Sequence, residues 1–248
     1  MPKLRNRDYY DAFSTGYERG RDAGYHALVD RLEIEVALRY ARGADLLEAG
    51  CGTGLILKEL LPHARRAVGL DLSSGMLRHA ARRGLPVVQG SITDLPFGDG
   101  EFDVVCSFKV LAHVERIADA LAELSRVTRP GGHLVLEFYN PLSLRGLVKR
   151  LKPPTRVADG ADDEAVYTRY DTLAQVKRLL PPGHAVVDLR GVRVVTPAAA
   201  AFEVPPVARL LHFLERKACD APGLRRLGGF LVVVARKPVA ATGATGVS

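Results

Sequence analysis

From residue 44 onward the chain alternates short apolar runs with amphipathic stretches, the pattern of an α/β fold on a mostly parallel sheet with helices on both faces. Two further observations support that class. In Asp45-Leu46-Leu47-Glu48-Ala49-Gly50-Cys51-Gly52-Thr53-Gly54 a buried-strand run enters a turn with three glycines at alternate positions, and Leu55–Leu61 follows with helical periodicity. A second strand, Arg66–Asp71, then ends in an acid 71 − 50 = 21 residues after the first glycine. Doubly wound folds present a carboxylate to ribose hydroxyls at about that distance. Strand, glycine-rich turn and helix start in series make a nucleotide-type site.

Residues 8–42 read as helical. Tyr10, Phe13 and Tyr17 share a face, with Tyr9 beside Phe13. This stripe either packs on the domain or closes over the site as a lid. Leu28, Leu32, Glu35, Val36 and Arg39 carry a second amphipathic helix toward the glycine turn. Strands are expected at 44–49, 67–71, 86–89, 102–107 and 133–138. Ser73-Ser74 caps a helix over Gly75–Arg83. Ile117, Leu121, Leu124 and Val127 form the apolar face of another, which Pro130-Gly131-Gly132 ends before the fifth strand. Residues 140–170 and 197–228 read as insertions after strands 5 and 6, the second holding a helix at 206–218. Thr172–Gln175 is a capping-box pattern opening a helix that Pro181-Pro182-Gly183 stops. Ala185–Val195 and Gly229–Arg236 are the last strands. The expected organisation is an N-terminal helical cap, 1–42, one domain over 43–237, and a disordered tail, 238–248.

At 248 residues one α/β domain has ample length for a buried core. Cys51, Cys106 and Cys219 match neither a disulfide framework nor metal-ligand spacing, which suits a reducing cytosol and no metal. No apolar run approaches the roughly 18 residues of a membrane span, so a cytoplasmic location is expected. Net charge is 35 − 28 = +7, spread over several helices. Its one concentration is Arg145, Lys149, Arg150, Lys152 and Arg156. There Leu144, Leu147, Val148 and Leu151 share a helix face, a basic amphipathic pattern that suits either an anionic membrane surface or a cover for the sheet edge.

The G-x-G-x-x-G dinucleotide fingerprint is absent in either register, which disfavours an NAD-dependent oxidoreductase. What stands here is E-A-G-C-G-T-G, followed by D-L-P-F at Asp94–Phe97, F-D-V-V at Phe102–Val105 and R-P-G-G at Arg129–Gly132. That series resembles the class I S-adenosylmethionine (SAM) dependent methyltransferases, in the branch of the ubiquinone and menaquinone C-methyltransferases. The resemblance implies a Rossmann-like seven-stranded sheet of order 3-2-1-4-5-7-6 with the last strand antiparallel. It also implies SAM as cofactor, S-adenosylhomocysteine (SAH) as product, and a small-molecule acceptor, quinone-like or lipid. The cofactor-binding residues it implies are Glu48, Gly50, Cys51, Gly52, Thr53, Gly54, Asp71, Leu72, Met76, Ser91, Ile92, Asp94 and Ser107. Ser91 and Ile92 stand where the family offers an acid or amide to adenine, and Asp94 either replaces that group or caps its turn.

Lys109 and His113 are the catalytic candidates. Lys109 either meets an anionic substrate or points to solvent. His113 is either a general base, the usual role of a group titrating near neutrality, or a structural histidine. Phe108, Tyr9, Tyr10, Phe13 and Tyr17 are candidates for the substrate and lid surface. No N-P-P-Y-like tetrapeptide follows strand 4 and no RNA-binding domain is appended, which disfavours a nucleic-acid acceptor. A non-catalytic SAM-fold binding partner remains the other reading, and either a monomer or a homodimer fits.

Overall fold

The computed structural model describes residues 10–11, 14, 17, 24–143, 146, 167–196 and 199–239. Seven strands form one sheet: β1 (Asp45–Ala49), β2 (Arg66–Asp71), β3 (Val87–Gln89), β4 (Phe102–Ser107), β5 (Thr128–Tyr139), β6 (Ala185–Val192) and β7 (Phe230–Arg236). Their order is β3-β2-β1-β4-β5-β7-β6, with β7 antiparallel to both neighbours, as the resemblance implied. Helix α1 (Gly24–Ala41), α2 (Leu55–Leu60) and part of α3 (Ser74–Arg82) cover one face; α4 (Ile117–Val127) and α5 (Leu173–Leu179) cover the other. Alternation along β1 divides its leucines, Leu46 entering one core and Leu47 the opposite one.

Local chemistry sets the element ends. Ser73 Oγ accepts from Met76 N at the start of α3, and Thr172 and Gln175 complete the capping box of α5. Two boundaries depart from expectation. R-P-G-G does not precede β5 but lies within it, as a bulge. Thr128 already pairs with Phe102, the register with β4 resumes at Val104 and His133, and Gly131 takes φ +79°. Gly132 has no room for a side chain, since a Cβ there would lie 2.7 Å from the Asp103 carbonyl. β6 stops at Val192 instead of Val195. Arg193 turns left-handed at φ 62°, and the buried Glu215 carboxylate takes the next donors, Val194 N–H and Val195 N–H.

The second insertion holds α6 (Pro205–Ala218), close to the expected span. Ion pairs fasten α1 to this part of the molecule. Arg190, buried on β6, binds Asp220 and Glu35, and Arg216 of α6 binds Glu35 again. The expected basic helix at 144–152 falls, Gly146 apart, outside the described residues, as do Tyr9, Phe13 and 240–248.

Candidate active site

Open parallel sheets leave a crevice at the strand carboxyl ends where strand order reverses, here between β1 and β4. A cavity of about 560 Å³ lies there, lined by the turns after β1 to β4 and by Tyr10 and Tyr17 of the N-terminal segment. A recess of about 40 Å³ adjoins it, lined by Glu48, Thr53, Asp30 and Lys109 among others.

The three glycines of the turn do three different things. At Gly50 a Cβ would lie 2.1 Å from Val110 Cγ2, so its bareness admits the loop after β4. Gly54 packs against Leu85 and Ala80. At Gly52, with φ +54°, a Cβ would meet no protein atom within 4 Å, and the residue lines the cavity. Only there does the missing side chain leave room for a ligand.

Asp71 stands opposite. Its two carboxylate oxygens accept from Gly52 N and Ser73 N, each at 2.8 Å. Burial pushes this carboxyl up, and the Ser73 and Gly52 amides partly offset that. Leu72 and Met76 line the cavity beside it, as do Ser91 and Ile92. The Ser91 hydroxyl contacts Thr93 Oγ1 at 2.8 Å, within its own turn.

Four expected cofactor residues sit differently. Ser107 is fully buried and its hydroxyl donates to the Ala49 carbonyl at 2.8 Å, so it ties β4 to β1 and lines neither the cavity nor the recess. Asp94 closes a tight turn through its N–H to Ser91 O and is not part of the lining. Gly54 serves packing, as above. Cys51 borders only the recess, its sulfur pressed over Gly69 and its thiol pushed up by burial.

The loop after β4 carries the remaining chemistry. Lys109, left-handed at φ 60°, turns its ammonium to Asp30 (2.7 Å) and to Glu33 of α1. It therefore neither points to solvent nor stands as a free cation for an anionic substrate. Burial alone would lower its pKa, but Glu33, Asp30 and Glu137 outweigh that and hold it up. Three buried carboxyls lie within electrostatic reach of Lys109: Glu33, Glu48 and Glu137, each at most 2% exposed. Burial pushes all three up. Neither oxygen of Glu137 completes a hydrogen bond, although Glu33 and the Lys109 main chain are its neighbours. Glu48 Oε2 and Thr53 Oγ1, both bordering the recess, are also without partners. Buried polar atoms are rarely left so, and a recess edged by them suits a polar, partly cationic ligand group.

His113, on the single helical turn Leu111–His113, lines the cavity with Tyr10 6.4 Å away, ring to ring. Its Nδ1 lies 3.0 Å from the Tyr167 carbonyl, which can only accept. Nδ1 therefore carries the hydrogen, and Nε2 the lone pair of the neutral ring. Burial lowers its pKa, which keeps the ring neutral at pH 7.

Asp11 went unremarked in the sequence. Its carboxylate accepts from Ser73 Oγ and Gly75 N (2.8 Å), pinning the N-terminal segment to the start of α3. Tyr10, beside it in sequence, and Tyr17 line the cavity. The signal was a lone acid after Tyr9-Tyr10, too common to single out. Asp30, Glu33 and Glu137 were missed because two elements distant in sequence, α1 and β5, deliver them to Lys109.

A family described as "Methyltransferase domain" matches residues 47–136. The chain is 35% identical over 179 residues to a demethylmenaquinone methyltransferase of Mycobacterium tuberculosis, covering 69% of this chain and 73% of the relative. Among solved structures it resembles a SAM-dependent methyltransferase from Thermotoga maritima, with TM-score 0.64, 19% identity and coverage of 93% and 99%. It also resembles the [4+2]-cyclase SpnF, with TM-score 0.61, 20% identity and coverage of 94% and 95%. That second likeness shows that the fold by itself does not decide the chemistry.

Proposed function

Since this chain belongs to the class I SAM-dependent methyltransferases, we propose that the 560 Å³ cavity binds cofactor and a quinone-like acceptor side by side. The observation that carries the reading is the one cavity shared by Asp71, the open face of Gly52 and the His113 loop. It joins a ribose-type carboxylate to an imidazole, and Tyr10, Tyr17 and Phe108 line it too. The acceptor class follows the named activity of the curated relatives. Peripheral contact with a membrane and a cytoplasmic location belong to the same proposal. Among the described residues no helix is long and apolar enough to cross a membrane.

The residues present fit the cofactor. Asp71 would receive ribose hydroxyls, Leu72 and Met76 would pack on adenine, and the recess edged by Glu48 and Thr53 would take the amino-acid end. Bound SAM supplies a methyl on a sulfonium, and in-line transfer from it disperses charge. Positioning and water exclusion then carry much of the catalysis. Phe108, Tyr10 and Tyr17 would exclude water. His113 Nε2 would accept the hydroxyl proton of a hydroquinone acceptor, which raises electron density on the ring carbon to be methylated. The His113→Gln variant should lose about 10²-fold or more in kcat, with KM for SAM little changed. With its pKa lowered, wild-type activity should be flat from pH 7 upward and fall as pH drops through a value below the ordinary 6.5. A Gln variant with unchanged rate and pH profile would return His113 to a structural role.

The test of the function is turnover. A short-chain demethylated naphthoquinol and methyl-labelled SAM, incubated anaerobically with the enzyme, should give a product one methyl heavier. If the labelled methyl reaches no quinol of the series while SAH still binds, the acceptor class is wrong.

A further inference from the structure

We propose that the outward arc of α6 is an interfacial docking surface for an anionic lipid membrane. The inference rests on the reading of a lipophilic acceptor given above, and adds to it the surface that meets the lipid. Val207, Leu210 and Leu214 recur at i, i+3 and i+7, with Phe213 beside Leu210 and Val204 in the turn that enters the helix. All five are open to solvent, Leu210 at 56% and Phe213 at 59%. Isolated exposed apolar residues are ordinary, but four on one helix with a fifth at its entry mark an interaction surface.

The stripe is not needed to hold the helix in place. α6 is fixed by other side chains. Glu215 accepts from Val194 N–H, Val195 N–H and the Thr196 hydroxyl, and Ala218, one turn beyond Leu214, is buried at the end of the helix. Arg216 reaches Glu35 of α1 at 2.8 Å, while Phe202, just before α6, packs on Tyr25 of α1. Since α1 also carries Asp30 of the recess, the apolar arc belongs to the helical layer that borders the site.

Charge selects the occupant. Arg209 lies along one border of the stripe, with Arg216 beside it paired to Glu35, and Lys217 stands over the Phe213 ring at 5.9 Å. The one acid of the helix, Glu215, is buried on the inner side. Glu203 is exposed just before Val204, but the helix itself exposes no acid, and an apolar arc edged by cations suits anionic headgroups above an acyl layer. A second copy of the chain fits less well, because a twofold axis through the stripe would set these cations against their own images.

Flotation tests this with phosphatidylcholine vesicles, with and without phosphatidylglycerol. The wild type should float with the anionic vesicles, less so as salt is raised, and stay behind with neutral ones. The double variant Leu210→Ser with Phe213→Ser should lose about tenfold or more in partitioning, and Arg209→Gln with Lys217→Gln should lose the anionic preference. Both alter exposed side chains only, so unchanged melting and unchanged SAH affinity confirm an intact fold and cofactor site. Equal flotation of wild type and serine variant would overturn the proposal. So would absence of wild-type binding to either vesicle, or a wild-type dimer in sedimentation that the serine substitutions dissociate. Turnover of a soluble short-chain quinol should survive the substitutions, so failure here and failure of the acceptor assignment are separable.

Discussion

Exchanging Lys109 for methionine is expected to cost the fold about 3 kcal/mol, the low end for breaking a buried ion pair. The low end applies because the Lys109 side chain keeps 20% of its exposure, so water tempers the loss. For a chain of this size that is a fall in Tm of about 6–12 °C. The cause is what the substitution leaves behind: Glu33 without its cation, next to Glu137 and within electrostatic reach of Glu48. The pH dependence has a definite sign. These carboxyls have pKa values raised in the folded state, so their protonated forms favour folding, fully at low pH and less as pH rises through the raised values. Lys109 offsets that loss by favouring the ionised forms. The methionine variant should therefore lose stability more steeply than the wild type as pH rises above the ordinary glutamate range, and recover toward it on acidification. Thermal melts from acid to mildly alkaline pH check it, and equal Tm values at every pH would show that the cluster does not depend on this cation.

Gly52→Val should abolish SAH binding, an effect of about 100-fold or more, with the chain still folded. A branched side chain at φ +54° is strained, which costs about 1–2 kcal/mol of stability. The larger effect is on the ligand, because the new atoms enter the cavity, where no protein atom competes for the space. Gly50→Ala separates the two kinds of glycine. There the added Cβ strikes Val110, so that variant should disturb the loop after β4 and lower stability. Calorimetric titration beside a melt reads both, and tight SAH binding by a folded Gly52→Val protein would show that this turn does not carry the cofactor.

Much of this was legible in the sequence because it depends on local order. The glycine turn, the acid 21 residues behind it, the Ser73 cap and the Thr172 box are short-range patterns, and the structure holds each where the spacing put it. What the sequence hid depends on direction and on distance along the chain. Ser107 ends a strand at the rim, and only the pleat decides that its hydroxyl faces Ala49. Gly50, Gly52 and Gly54 are alike as letters and differ by what stands opposite each. Lys109 looked free because its partners lie 79 and 76 residues earlier, on a helix whose packing no local pattern announces. R-P-G-G reads as a turn, and the bulge appears only once β4 and β7 flank it.

The measurement that bears most directly on the central claim is a titration of SAH into the wild type and into Asp71→Ala, side by side. Asp71 holds the glycine turn through Gly52 N–H and lines the same cavity, so both the site and its carboxylate are under test. The account predicts one SAH per chain for the wild type. It predicts affinity lower by about 1.5–3 kcal/mol in the variant, roughly 10- to 150-fold, with melting evidence that the variant is folded. A wild type that does not bind SAH, or a folded Asp71→Ala protein that binds it equally well, would contradict the assignment of this cavity to the cofactor.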